Sequence, residues 1–254
     1  MNETGTAATS AGTVDDAEVA RFAAIAAEWW NPDGKFRPLH RFNPVRLAFL
    51  RDRLAAHFGR DARSLRPLDG LRVLDVGCGG GLISEPLARM GAQVRGIDAA
   101  EKNIRTAAAH AADTGVHIDY RAVPVEDLVA AGERFDAVIA LEVVEHVADL
   151  ELFLQGCAAV CRPGGALVLA TLNRTPKSYL FAIVGAEYVL RWLPRGTHDW
   201  NRFVRPSELA ASLGQHGVRI ADLAGLIYNP IGDEWRLGRD VAVNYMAFAV
   251  KGDG

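Results

Sequence analysis

The chain has 254 residues, of which 50% are hydrophobic and 23% are charged, and its formal net charge is −3. This length and composition can bury the core of one domain, which excludes intrinsic disorder for most of the chain. The small acidic excess argues against a generic nucleic-acid binder, and no nucleic-acid partner is expected. Three cysteines are too few for a disulfide framework, so a reducing compartment is predicted. No window reaches the roughly 20 apolar residues of a membrane-spanning helix.

The N-terminal quarter of the domain is predicted to be a helical cap. Residues 1–14 are small and polar and are interpreted as a disordered lead, and residues 15–254 as one domain. Within the cap of residues 15–60, apolar side chains recur at helical spacing before Pro32 and Gly34 break the pattern. They are Val19, Phe22, Ala23, Ala26, Trp29 and Trp30. Residues 35–46 are expected to be irregular because they contain prolines, and residues 45–58 to form a second helix.

Strands and helices alternate through the rest of the chain. Apolar runs predict strands at 71–76, 93–98, 117–123, 135–141 and 166–172, and helical patterns at 82–90, 99–113 and 150–161. This alternation indicates a parallel sheet with helices on both faces. A helix at 207–215 then precedes strands at 218–226 and 241–250. Since no helix separates those two strands, they are predicted to form an antiparallel edge pair.

One connection is longer than the others. Residues 173–205 follow the fifth strand, and their centre is strongly apolar. From 174 to 205 there are six Lys or Arg residues and two acidic residues. Residues 178–193 therefore suit a lid on the domain's own core, a core helix, or a helix on an anionic membrane surface. Trp29, Trp30 and residues 35–46 are candidates for the other wall of the same site.

A glycine loop follows the first predicted strand, at the edge of the sheet where ligands bind. Its pattern is G-x-G-x-G at Gly77, Gly79 and Gly81, whereas a dinucleotide site would need Gly or Ala where Leu82 stands. Asp75 would repel a pyrophosphate but suits a sulfonium or ammonium group. The pattern thus favours S-adenosylmethionine over a nicotinamide cofactor, and a strand–helix turn without a ligand is a further alternative.

This loop resembles motif I of class I S-adenosylmethionine-dependent methyltransferases, with Asp98 as the acidic end of the second strand. Further segments resemble the bacterial ubiquinone biosynthesis O-methyltransferase family over residues 17–250. They are Trp29 and Trp30, FRPLHR at 36–41, NPVR at 43–46, EVVEHV at 142–147, TLNR at 171–174, VGAEY at 184–188, GTHD at 196–199 and VNYM at 243–246.

The resemblance implies an α/β, Rossmann-like class I methyltransferase. Its sheet would be seven-stranded and mostly parallel, with an antiparallel last strand, N-terminal helices and a helical insert after the fifth strand. The activity implied is O-methylation of phenolic hydroxyls at both O-methylation steps of ubiquinone biosynthesis. The two substrates would be a 2-polyprenyl-6-hydroxyphenol and 3-demethylubiquinol.

The cofactor contacts of that family match Arg46, Gly77, Asp98 and Leu141. Gly77 would give backbone access, Asp98 would bind the ribose hydroxyls, and Leu141 would flank the cofactor. Arg46 would pair with the cofactor carboxylate in a bidentate manner. Without the resemblance, a solvated residue on a helix surface would be the favoured interpretation of Arg46, and Leu141 would be an ordinary core residue.

Glu142, Glu145 and His146 follow the fourth strand, where the reacting atoms should lie. Their i, i+3, i+4 spacing predicts one helical face, and two carboxylates with an imidazole can bind a divalent cation. Such a metal would lower the pKa of a catechol oxygen and orient it, and Glu142 and His146 are the candidate catalytic residues. The alternatives are His146 as a lone general base, or acidic residues that simply favour a helix N-terminus. The resemblance favours Mg²⁺ or another divalent cation bound by all three residues.

The resemblance also implies a place in the cell. A polyprenylated phenol or catechol resides in a membrane, which favours lipid contact through residues 178–193 and a peripheral position on the bacterial inner membrane, facing the cytoplasm. Other ubiquinone-biosynthesis enzymes are candidate partners. Three other functions stay open: a ring C-methyltransferase, a nicotinamide-dependent oxidoreductase, and a lipid-binding protein without catalysis. Cys78, Cys157 and Cys161 are expected to be small core residues.

Overall fold

The fold is one α/β domain with an N-terminal helical cap. A computed structural model describes residues 12–180 and 199–253. The helices are α1 Asp16–Ala24, α2 Arg37–His57, α3 Ser84–Arg89, α4 Glu101–Asp113, α5 Val125–Ala130, α6 Leu150–Val160, α7 Pro176–Ser178 and α8 Pro206–Gln215. The strands are β1 Arg72–Val76, β2 Gln93–Ile97, β3 Asp119–Arg121, β4 Phe135–Leu141, β5 Cys161–Leu172, β6 Val218–Asn229, β7 Glu234–Gly238 and β8 Asn244–Lys251.

The strands form one mixed sheet in the order β3-β2-β1-β4-β5-β8-β6-β7. The first five are parallel, as the alternating pattern predicted, and β8 is antiparallel to both β5 and β6. The order reverses at β1, which lies between β2 and β4. Such a switch point leaves a crevice beyond the carboxyl ends of β1 and β4, and ligands of open α/β sheets bind there.

Two details of the C-terminal strands differ from the sequence prediction. The described residues contain eight strands rather than seven, because β7 forms a hairpin with β6. Consequently β6 and β8 are not an edge pair: β8 lies inside the sheet and β7 is at the edge. The hairpin pairs Tyr228 with Trp235, whose rings lie 5.1 Å apart. Cross-strand aromatic contacts of this kind stabilise a short strand that sequence patterning does not reveal.

The core occupies both faces of the sheet. Val73 and Leu74 are fully buried and point to opposite faces, because side chains alternate along a strand. Phe49 and Leu50 of α2 pack on one face. Leu154 of α6 packs on the other. Both faces being covered explains why β4 and β5 are mostly continuous apolar runs instead of alternating ones.

The N-terminal cap contains a longer helix than expected. Residues 35–46 are not irregular, since α2 begins at Arg37 and continues through both Pro38 and Pro44. Pro38 lies in the first turn, where a missing N–H costs nothing. Pro44 is inside the helix, and buried residues on both sides of it, such as Asn43 and Phe49, hold that segment against the sheet. Tertiary packing thus outweighs the helix-breaking tendency of proline here.

The predicted lead and insert are only partly described. Of the lead, Thr13 is buried; its N–H donates to Glu126 and its carbonyl accepts from the Ala148 N–H. Residues 181–198, which contain VGAEY and most of the 178–193 segment, lie outside the described residues. Within the two described ranges, no helix combines the length and the apolar character needed to span a bilayer.

Candidate active site

The glycine loop connects β1 to α3 at the sheet's switch point. Gly77 and Gly79 have φ angles of 67° and 54°, in the left-handed region that residues with a Cβ rarely adopt. A Cβ on Gly77 would lie 2.5 Å from the Val143 side chain, and one on Gly79 would collide with the Trp29 ring. The loop therefore needs glycine both for its backbone geometry and for the close approach of its neighbours.

Asp98 fixes the conformation of this loop. Its Oδ2 accepts the Gly79 N–H at 3.0 Å, and its Oδ1 accepts the Ala100 N–H at 2.8 Å and the Asn103 amide at 3.2 Å. Burial raises the pKa of the Asp98 carboxyl, and these hydrogen bonds to the charged form oppose the rise. The predicted cofactor residue thus joins the ends of β1 and β2, and it lines a cavity of about 910 Å³.

Asp75 lies at the end of β1 and lines the same cavity. It is 3% exposed, and Ser84 Oγ donates to its Oδ2 at 2.5 Å. Burial raises the pKa of Asp75 to about 7, while the hydrogen bond from Ser84 lowers it. A carboxylate that ionises near neutrality at the wall of this cavity can attract a cationic ligand without attracting a phosphate.

The ionisation of Asp75 predicts a pH-dependent affinity for S-adenosylmethionine. Below pH 7 the carboxyl is neutral and above pH 7 it is charged, so the affinity for the sulfonium-bearing cofactor should rise by about tenfold from pH 6 to pH 8. Calorimetric titration measures this. S-adenosylhomocysteine, which lacks the sulfonium, should show a smaller rise, and Asp75→Asn should flatten the difference between the two ligands. An equal slope for both ligands in the unmodified protein would contradict the assignment.

Arg46 and Glu142 form an ion pair at the cavity wall, in which Arg46 is buried and Glu142 is half-buried. Arg46 comes from α2, is 3% exposed and pairs with the Glu142 carboxylate. Its guanidinium also lies over the Phe42 ring, at 4.1 Å from the centroid. Burial lowers the pKa of Arg46, and the charge of Glu142 opposes this effect. The alternative of a solvated helix-surface arginine is therefore wrong.

One donor of Arg46 is left for a ligand. Arg46 Nε is buried and has no hydrogen-bond partner among the residues that the structure describes. Buried donors are rarely left unpaired, so an acceptor such as a cofactor carboxylate is expected there. The sequence did not predict that Arg46 is buried, because this residue lies in a segment that was expected to be irregular. In the structure Phe42 and Arg46 are four residues apart on helix α2.

The same ion pair makes Glu142 important for stability. Glu142→Ala would leave the buried Arg46 charge with only the nearby Glu145 to oppose it. Removing one member of a fully buried pair costs about 3–5 kcal/mol, and since Glu142 is half-buried the loss should lie near the lower end of that range. We expect a corresponding fall in the free energy of unfolding, measured by urea denaturation. Glu142→Gln keeps a hydrogen-bond acceptor and serves as the matched variant, with a smaller loss. Equal stability of Glu142→Ala and the unmodified protein would show that the pair does not form.

Glu142, Glu145 and His146 do not share a helical face, which corrects the sequence prediction. Glu142 has a φ of 57°, so no right-handed helix can include it, and the residues after it form a single turn closed by the His146 N–H on the Val143 carbonyl at 2.8 Å. The three side chains make different contacts. Glu145 is buried, accepts the Thr171 hydroxyl at 2.9 Å, and has its pKa raised to about 7 chiefly by burial.

His146 contacts helix α1, which the sequence did not predict. Its Nδ1 lies 2.9 Å from Glu18 Oε2, and its ring meets the edge of Phe22 at 5.2 Å. The hydrogen bond with His146 lowers the pKa of Glu18. A carboxylate only accepts, so Nδ1 carries a hydrogen in this contact and Nε2 of the neutral ring keeps a lone pair. Glu142, Glu145 and His146 all line the cavity.

The remaining predicted residues are placed as follows. Leu141 ends β4, is half-buried and lines the cavity. Trp29 and much of residues 35–46 line it too, whereas Trp30 stacks on His110 at 3.4 Å. Cys78, Cys157 and Cys161 are buried and free, as expected for small core residues.

Comparison with known proteins identifies the family. Residues 74–169 match the family model described as "Methyltransferase domain". The chain is 58% identical to the ubiquinone biosynthesis O-methyltransferase of Parvibaculum lavamentivorans over 93% of this chain and 94% of that protein. The same identity holds for the enzyme of that name from Mesorhizobium japonicum, over 94% and 96% of the two chains. The chain belongs to the ubiquinone biosynthesis O-methyltransferases.

Membership in this family settles the reaction class. The chain is an S-adenosylmethionine-dependent O-methyltransferase, so the nicotinamide-dependent oxidoreductase considered above is excluded. Solved structures agree on the fold. The magnesium protoporphyrin IX methyltransferase of Synechocystis PCC 6803 with bound SAH is 21% identical and matches with a TM-score of 0.57 over 91% of this chain and all of that chain. A methyltransferase from Clostridium acetobutylicum, 11% identical, matches with a TM-score of 0.58 over 92% and 98% of the two chains.

The predicted metal ligands do not form a cluster in this O-methyltransferase. In the part of the chain that the structure describes, no group of three or more His, Cys, Asp or Glu residues is arranged to hold a metal ion. Glu142 is paired with Arg46, Glu145 with Thr171 and His146 with Glu18. Because each side chain already has its own partner, the three do not fit a divalent cation as arranged. Metal binding by these residues stays a prediction.

Proposed function

We propose that the chain methylates phenolic oxygens of polyprenylated rings at both O-methylation steps of ubiquinone biosynthesis. Its substrates would be a 2-polyprenyl-6-hydroxyphenol and 3-demethylubiquinol. The names of its relatives support O-methylation in ubiquinone biosynthesis. The observation that carries this proposal is a cavity of about 910 Å³ that the proposed cofactor and substrate residues share. It places Asp98 and His146 in one space with apolar side chains such as Phe42, Leu226 and Trp235. An adenosyl cofactor and an amphiphilic ring both suit such a lining.

Four residues are proposed to bind the cofactor. When bound, S-adenosylmethionine supplies a methyl group that is already electrophilic. Gly77 lets the backbone approach the cofactor, and Asp98 accepts a hydrogen bond from the ribose. Arg46 donates to the carboxylate, which its unpartnered Nε supports. Leu141, at the end of β4, contributes the apolar contact beside the cofactor.

His146 is proposed to take the proton from the phenol. A phenol has a pKa near 10 and only its phenolate attacks well, so a base at the reacting oxygen lowers the barrier. His146 lines the cavity, and its contact with Glu18 orients the ring. Glu142 is proposed to act on Arg46 rather than on the substrate, because the two side chains form an ion pair. In-line attack then depends on how well the cavity aligns the oxygen with the methyl group and excludes water.

Residues 178–193 are proposed to contact the inner membrane, although 181–193 lie outside the described residues. Tyr179 and Leu180 at the start of this segment are 51% and 55% exposed. Two flanking basic residues have their charges paired within the protein, since Arg174 pairs with Glu208 and Lys177 with Asp240. These two residues should therefore add little to any attraction to anionic lipid.

Removal of residues 178–193 should abolish co-sedimentation with liposomes. Tyr179→Ser combined with Leu180→Ser should weaken it, and Leu65→Ser, an exposed leucine outside this segment, is the matched control. Binding that survives the deletion would place the membrane contact elsewhere. Other ubiquinone-biosynthesis enzymes stay candidate partners of the chain.

The proposed specificity is tested with both substrates, each carrying a short polyprenyl tail. Methyl transfer from S-adenosylmethionine should occur to both, and nuclear magnetic resonance should place the new methyl on oxygen. Transfer to only one substrate would restrict the proposal to that step. A methyl on ring carbon would favour the C-methyltransferase alternative.

A further inference from the structure

A chain of hydrogen bonds connects the N-terminal cap to Asp98. Trp29 is 8% exposed, and its indole N–H donates to Asn103 Oδ1 at 3.0 Å. Asn103 is 2% exposed, and its amide nitrogen donates to Asp98 Oδ1 at 3.2 Å. Both links are therefore shielded from water, where a hydrogen bond is stronger and a lost one is more costly.

The indole N–H of Trp29 determines which atom of the Asn103 amide faces Asp98. An asparagine side chain can turn either its oxygen or its nitrogen toward a neighbour, but an indole N–H is a donor only. Trp29 therefore holds the Asn103 oxygen on its own side and leaves the NH₂ group facing Asp98. Without that donor, the amide could turn its oxygen toward the carboxylate, where two acceptors would repel each other.

The amide in turn determines which Asp98 oxygen is available. A carboxylate has about four acceptor positions, two on each oxygen. Oδ1 already accepts from Ala100 and Asn103, whereas Oδ2 accepts only from Gly79. The position that remains is on Oδ2, and both Asp98 and Trp29 line the cavity.

The aromatic surroundings hold Trp29 in this place. Its ring stacks on Phe36 with 3.7 Å between centroids and 8° between planes. A Cβ on Gly79 or Gly80 would collide with the indole, so the ring lies directly on the glycine loop. Trp29 thus contacts both the loop and the residue that orients Asp98.

We propose that Trp29 is a positioning residue for the cofactor ribose, acting through Asn103 to hold Asp98 with Oδ2 turned to a ribose hydroxyl. This inference rests on the proposed role of Asp98 in binding the ribose. Loss of the Trp29 indole N–H should therefore weaken only the part of the cofactor's affinity that comes from the ribose hydroxyls.

The test compares S-adenosylhomocysteine with its 2′,3′-dideoxy analogue by calorimetry of the full chain. Trp29→Phe keeps an aromatic ring against Phe36 and removes the N–H. We expect it to weaken S-adenosylhomocysteine binding by about tenfold and the dideoxy analogue by less than about twofold. Asn103→Ala breaks the same chain at its other link and should give the same pattern, which covers the case that Trp29→Phe folds poorly. Combined, the two changes should not add.

Trp30→Phe is the matched control, because Trp30 is also in the cap and donates its indole N–H to the Gly80 carbonyl at 2.8 Å. Any loss of affinity caused by Trp30→Phe should be the same for S-adenosylhomocysteine and for its dideoxy analogue. If Trp29→Phe weakens both ligands equally, or neither, Trp29 is a packing residue and the inference fails while the role of Asp98 stands. If the unmodified protein binds both ligands with equal affinity, the ribose role of Asp98 fails and the inference with it.

Discussion

Replacement of Asp98 by alanine is expected to lower the affinity for S-adenosylhomocysteine by about 100-fold. A hydrogen bond to a charged group is worth about 1.5–3 kcal/mol, and Asp98→Ala removes the one to the ribose. It also removes the acceptor of the Gly79 and Ala100 N–H groups, which hold the glycine loop. Calorimetric titration measures the loss, and circular dichroism checks the fold.

The control for this change is Glu101→Ala. Glu101 is an exposed carboxylate at the start of α4, three residues after Asp98, and its ion pair with Arg105 is on the surface. The Glu101→Ala variant should bind the cofactor with the same affinity as the unmodified protein. Unchanged affinity in Asp98→Ala would remove the ribose assignment and with it the proposed orientation of the cofactor.

The second large effect is expected for His146→Ala. A positioned general base contributes about 100-fold to 10,000-fold in rate, so kcat should fall by at least about 100-fold. Affinity for S-adenosylhomocysteine should stay within about twofold, because none of the proposed cofactor residues depends on the imidazole. Single-turnover methyl transfer and calorimetry separate the two quantities. His117→Ala, at an exposed histidine, is the matched control.

A chelator distinguishes the base from the predicted metal site. If His146 acts as a base, the rate of the unmodified protein should be the same with and without ethylenediaminetetraacetate. A rate that falls in the chelator and recovers with Mg²⁺ would restore the assignment of Glu142, Glu145 and His146 as metal ligands. It would also mean that these side chains exchange their present partners when the ion binds.

The sequence predicted the sheet and the glycine loop well because both depend on local patterns. Continuous apolar runs, the glycine turn at Gly77 and the acidic Asp98 at the end of a strand can be recognised from neighbouring residues alone. The bounds of β4 agree with the prediction at residues 135–141. Segments where packing outweighs propensity were predicted less well, as Pro44 inside α2 illustrates.

The candidate site depends on contacts between residues far apart in the chain. Trp29 and Asn103 are 74 residues apart, and Arg46 and Glu142 are 96 apart. No periodicity pairs such residues, so Glu18 and Asn103 were missed, and no signal in one sequence would have identified them. The predicted helical face at 142–146 was wrong for a local reason: the left-handed backbone at Glu142 cannot be recognised from a carboxylate side chain.

The decisive measurement is a structure of the protein with S-adenosylhomocysteine and a short-tailed catechol. We expect the ribose on Asp98 Oδ2, the amino-acid carboxylate on Arg46, and the catechol oxygen in line with the sulfur and within hydrogen-bond reach of His146. A cofactor bound with its ribose away from Asp98, or a catechol whose oxygen is remote from the sulfur, would contradict this expectation.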